Sequence, residues 1–183
     1  MKHKQRQLGL KVSPRSFNEI AIMAQKTRDA ATLLMPKRCN KKLDIIAYFD
    51  ILQYTGVIEF TIEEDENLNG QLALTYPDRG IIRISQTVYD GACEGDGHHR
   101  FTLAHELGHL LMHAKQNPLG YARNYNEHKI YEDSEWQADT FASELLIDSR
   151  RISGFETAEE ISDTWGVSET AAMVKLLKIK GRR

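Results

Sequence analysis

The 183-residue chain predicts an α+β fold, with a small antiparallel sheet of about three strands packed against a histidine-bearing helix. Three observations predict it. Two early segments repeat apolar residues at helical spacing, and the period then changes to short alternating runs punctuated by turn residues. After residue 99 the helical period returns and holds, with interruptions, almost to the end. At 41% hydrophobic composition, the chain is long enough for one domain with its own core.

Met1 to Lys11 shows no apolar pattern, and residues 1–14 read as a flexible basic tail. Ser16 and Glu19 form a capping box ahead of Ile20, Met23, Ala24, Thr27 and Ala31, so a helix is expected to run to Leu34, with Pro36 closing it. A second helix fits Lys41 to Tyr54, with Ile45, Ile46, Phe49 and Leu52 on its apolar side and Gly56 beyond its end. Val57 to Ile62 alternates as a strand, and Asn67 to Gly70 turns into a second strand, Gln71 to Tyr76. Pro77 to Gly80 turns again into Ile81–Ile84. An antiparallel meander is the simplest arrangement of these three strands. Residues 86–98, with Asp90-Gly91 and Glu94-Gly95-Asp96-Gly97, read as a solvent loop.

A buried helix is expected from about Arg100 to His113, built on Phe101, Leu103, Ala104, Leu107, Leu110 and Leu111. Another follows, with Tyr131, Trp136, Ala138, Phe141, Ala142, Leu145 and Leu146 at helical spacing. The domain is read as 15–153. Residues 154–183 form a helical extension with the layout of a helix-turn-helix, although Ala171, Ala172 and Met173 at the start of its second helix suit packing better than base contact.

The chemistry lies in His105-Glu106-Leu107-Gly108-His109 and Glu135-Trp136-Gln137-Ala138-Asp139. Residues four apart on a helix share a face with Cβ atoms about 5–6 Å apart, so His105 and His109 can converge on one ion. Glu106 flanks that ion, where a carboxylate takes a proton from water. H-E-x-x-H alone occurs in unrelated proteins; the second segment strengthens it. Glu135 and Asp139 also share a face, and buried carboxylates need partners. Glu135 would complete a His/His/Glu set that leaves one position open, and Asp139 would accept an N–H from a ligand histidine, His105. One Zn2+ per chain is expected from this ligand type. His113, a full turn beyond His109, is a poor direct ligand. In the connection between the helices, Tyr121, Arg123, Tyr125 and His128, with Tyr131 after them, are candidate donors to an oxyanion or contacts for substrate.

These two segments resemble the ImmA/IrrE metallopeptidases, on Phe101-Thr-Leu-Ala-His-Glu-Leu-Gly-His109 and Glu135-x-x-Ala138-Asp139-x-Phe141-Ala142-x-x-Leu145-Leu146. The resemblance implies a zincin-like fold and a gluzincin-like site with His105, His109 and Glu135 as zinc ligands and Glu106 as catalytic base. It also implies a helix-turn-helix repressor as protein substrate, cleaved to derepress mobile-element or stress-response genes. Many members carry Pro soon after the Leu-Leu pair; here the chain reads Ile147-Asp148.

Net charge is −2, but residues 1–42 hold 11 Lys/Arg against 2 Asp/Glu, and the remainder 13 against 24. A basic segment lying on its own acidic body accounts for this better than nucleic-acid binding, since no aromatics interleave with the charges. Cys39 and Cys93 suit reduced thiols. No apolar run approaches the ~20 residues of a membrane span, so a cytoplasmic protein without membrane association is expected. Nothing in the sequence indicates an oligomeric state. Two other functions fit the same residues: a metal-stabilised regulatory or toxin-like protein that binds a repressor without cutting it, and a DNA-binding regulator.

Overall fold

In a computed structural model, residues 8–114, 128–153 and 156–181 are described. Helix α1 spans Phe17–Leu34, and the capping box of Ser16 and Glu19 opens it. Helix α2 spans Ile45–Tyr54, beginning later than the apolar pattern suggests because Asp44 accepts the N–H of Ala47 and fixes the start there. Strands β1 (Glu59–Glu63), β2 (Ala73–Tyr76) and β3 (Ile81–Ser85) follow, then helices α3 (Gln86–Glu94) and α4 (Gly97–His113). The chain continues with α5 (Ser134–Leu146), α6 (Ala158–Trp165) and α7 (Glu169–Lys180).

The sheet is not an antiparallel meander. Its order is β1-β3-β2, with β1 parallel to β3 and only β2 antiparallel to it. The reason is the connection after β1. It coils through a 3-10 turn at Asp65–Leu68 and a left-handed Asn69, so the chain steps past one strand position before β2 begins. The turn at Pro77–Arg79, ended by a left-handed Gly80, then folds β3 back into the vacant central place. Central β3 buries Ile82 and Ile84 completely. Phe60 of β1 meets Phe49 of α2 edge to face, with ring centroids 5.0 Å apart.

The expected loop at 86–98 is also corrected. Ser85 accepts the N–H of Val88, and Val88, Gly91 and Ala92 are buried. Gly91 looks like a loop signal but serves packing, because a side chain there would collide with the His99 ring. Residues 8–14, read as flexible, are fixed: the backbone of Lys11 pairs in antiparallel fashion with Asp133, and Val12 donates to the Glu132 carbonyl at 2.8 Å. The expected turn at 117–120 lies outside the described residues.

Helix α4 lies against the sheet and packs mainly against α5, which in turn packs against α1. Helices α6 and α7 pack on each other through Ile161, Trp165, Ala172 and Leu176, all buried. No helix among the described residues is long and apolar enough to cross a membrane.

Candidate metal centre

The close approach of α4 and α5 is permitted by Gly108. A Cβ there would lie 3.0 Å from Phe141 Cδ1 and 3.3 Å from Ala138 Cα, so the glycine lets the α5 backbone come near the second histidine. His105 and His109 project from one face of α4 with their Nε2 atoms 2.9 Å apart. Glu135, in the first turn of α5, places its two oxygens 3.2 Å from His105 Nε2 and 3.4 Å from His109 Nε2. Donors about 2.0–2.2 Å from a tetrahedral zinc are separated by roughly 3.3–3.6 Å. The 3.4 Å contact of Glu135 with His109 meets that spacing, while the 3.2 Å contact with His105 and the 2.9 Å Nε2 pair are tighter, so the three donors converge on one point and would part by a few tenths of an ångström around an ion.

Their partners fix which ring nitrogens face inward. His105 Nδ1 lies 3.0 Å from Asp139 Oδ1 and donates to it. The Gln137 amide nitrogen donates to the carbonyls of Ser13 and Tyr131, both at 2.9 Å. Its oxygen consequently faces His113 Nε2, 3.2 Å away. An amide oxygen only accepts, so His113 carries its proton on Nε2 and accepts at Nδ1 from His109 Nδ1, 3.0 Å away. Burial, reinforced by the neighbouring His109, lowers the pKa of His113 to about 4 and keeps it neutral.

With both Nδ1–H groups committed, two Nε2 atoms and a carboxylate converge as acceptors. Such a cluster needs one positive centre. Burial works against a charged His105, yet its hydrogen bonds to Asp139 and Glu135 and the charge of Glu106 raise its pKa to about 10. The contacts with His105 and His109 hold Glu135 well below the usual carboxylate range despite its burial. Either a proton on His105 or a metal ion supplies the centre, and the donor set fits zinc.

Glu106 points to the same cleft from the neighbouring face of α4. Its Oε2 accepts a 2.6 Å hydrogen bond from Thr75 Oγ1 on β2, a contact no sequence signal marks. The cleft encloses 1490 Å³, beyond the about 300–1,000 Å³ usual for small-molecule sites. Edge strand β2 contributes Leu74 and Thr75 to one part of its lining, and Trp136, Ala171 and Val174 contribute to others.

The remaining candidates separate. Tyr121, Arg123 and Tyr125 lie outside the described residues. The His128 side chain is fully buried, with Nε2 3.0 Å from Asp133 Oδ2; it supports the residue that caps α5. Tyr131 stacks beneath the Lys129 ammonium, 5.6 Å from the ring centre, and hands its carbonyl to Gln137. Neither His128 nor Tyr131 lines the cleft, whereas Ile130 does.

Over residues 61–177 the chain matches the model of the Peptidase_M78 family, described as an IrrE N-terminal-like domain. No curated protein matches it. Among solved structures, it is similar to a Mycobacterium tuberculosis transcriptional regulator with a TM-score of 0.49 and 14% identity, over 87% of this chain and 50% of that one. The chain thus spans about half the length of that structure.

Proposed function

The chain belongs to the Peptidase_M78 family, and from that premise we propose that it is a zinc-dependent endopeptidase whose substrate is a helix-turn-helix transcriptional repressor. The observation that carries the hydrolytic reading is the convergence of His105, His109 and Glu135, with Glu106 beside them in an open cleft. A structural zinc site closes all four positions with protein ligands, whereas three leave room for water and substrate. When bound, zinc supplies the Lewis acidity that makes water a nucleophile near neutral pH.

The chain's own groups do the rest. Glu106, oriented by the Thr75 hydroxyl, takes the proton from the attacking water and delivers it to the departing amine. Asp139 and His113 hold the two imidazoles with Nε2 inward. Among the described residues strand β2 has one free edge, and the strand contributes to the cleft lining; an extended peptide added there would run past Glu106. The repressor as substrate rests on the family resemblance, as does derepression of mobile-element or stress-response genes.

Glu106→Gln is the test. It keeps the size of the side chain and all three ligands, so bound zinc should match wild type while peptide cleavage falls by about 10²–10⁴. Undiminished cleavage by this variant removes Glu106 as the base. Repressor binding that persists unaltered, in a wild type that never cleaves, supports a metal-stabilised binding protein instead.

A further inference from the structure

The first described residues end on the metal centre. Gly9 N–H donates to Asp133 Oδ2 at 2.7 Å, and Leu10 N–H donates to Ser134 Oγ at 3.0 Å. Ser134 N–H returns a 3.0 Å bond to the Leu10 carbonyl. The Ser134 hydroxyl, anchored in this way, donates to Glu135 Oε1 at 3.2 Å. Gly9 is packed so closely that a Cβ would lie 2.5 Å from Glu135 Cγ, 2.6 Å from Ser134 Oγ and 3.1 Å from the Glu135 nitrogen. Its lack of a side chain is what lets the segment lie flat on this ligand.

The same segment reaches the other side of the site by a second route. The Ser13 carbonyl accepts from the Gln137 amide, and Gln137 accepts from His113, which accepts from His109. The last link sets the His109 ring with Nε2 toward Glu135. Backbone groups of one short segment thus end, through one or two intervening side chains, on two of the three converging donors.

We propose that Gly9–Ser13 is a working part of the metal centre, a strap whose backbone positions Glu135 and His109 and thereby sets the affinity for the ion. This rests on the reading of His105, His109 and Glu135 as ligands. Hydrogen-bond partners of ligands change metal affinity by about 10–100-fold when removed, and the strap holds such partners for two ligands at once.

The test uses the full chain stripped of metal, with zinc affinity measured by competition against a chromophoric chelator. Ser134→Ala removes the hydroxyl bridge without adding bulk, and Gly9→Val drives a side chain into Glu135. Both should weaken zinc binding by about 10–100-fold and alter the visible spectrum of the cobalt-loaded protein, which reads ligand geometry. Circular dichroism and melting of the metal-free Ser134→Ala protein should match wild type, separating positioning from folding. A wild type that binds zinc, with Ser134→Ala binding it equally tightly and giving the same cobalt spectrum, overturns the strap. A wild type that takes up no zinc overturns the ligand reading and the strap with it.

Discussion

Charged side chains near the end of α5 show how one pairing sets an acid limit. Arg150 donates to both oxygens of Asp29, at 3.0 and 2.7 Å, and to Asp148 through Nε at 2.8 Å. The hydrogen bond from Arg150 holds the Asp29 carboxyl below its ordinary value. Burial pushes Asp148 the other way, but the Arg150 hydrogen bonds and charge outweigh it and lower that carboxyl too. Native values below the unfolded ones mean that the stabilisation is complete above an unfolded aspartate pKa of about 3.9 and is lost as pH falls through the native values. Arg150→Ala should therefore melt below wild type at pH 7, with the gap closing toward pH 3. A gap that stays constant over that range contradicts the pairing. Residues whose chemistry depends on spacing within one helix, such as His105 and His109, were legible from sequence. Thr75 was not, because a threonine in a strand carries no mark of the glutamate it will meet across the sheet.

Among the secondary elements, helices were easier to read than the sheet for a physical reason. A helix is specified by neighbours three and four residues away, and the capping boxes at Ser16 and Thr157 are equally local. Strand order is set by a long-range choice, and alternation in β1 and β3 is the same whether they pair parallel or through a hairpin. Helix α3 was missed because its one glycine, Gly91, serves a close contact rather than a turn. The same logic governs the start of α4. A Cβ on Gly97 would collide with the backbone at Val167 and Ser168, where the turn between α6 and α7 rests on that helix. Arg100, one turn on, donates to the carbonyls of Gly166 and Leu43 at 2.7 and 2.8 Å. Backbone cannot yield as a flexible side chain does, so Gly97→Ala should cost about 1–3 kcal/mol of unfolding free energy, measurable by urea titration. Unchanged stability would mean that α6 and α7 are not seated on α4 as described.

Across the fold, one buried arginine joins pieces that the sequence leaves unconnected. Arg28 of α1 is 2% exposed and donates to the carbonyls of Leu145, Asn40 and Lys41 at 2.6–2.7 Å. Its guanidinium also lies 5.1 Å from the centre of the Trp165 ring. It thereby satisfies carbonyls at the C-terminal end of α5 and ties them to the entry of α2 and to α6. The basic character of residues 1–42 is thus partly structural, since Arg28 turns inward. At its other end, α5 carries Glu135 and receives the N-terminal strap, so the helix is held at both ends while its middle packs on α4. The strap was invisible in the sequence because its bonds are made by backbone groups, which every residue possesses. The convergence of His105, His109 and Glu135 was visible because the two histidines sit four apart on one helix and Glu135 belongs to an equally local pair with Asp139.

The most direct test of this account is the metal content of the purified protein beside Glu135→Gln, by elemental mass spectrometry after zinc loading and removal of excess. The account predicts about one zinc per wild-type chain and a marked loss in the variant, as expected for a His/His/Glu site that leaves one position open. A wild type that stays metal-free, or a variant that retains full occupancy, would contradict it.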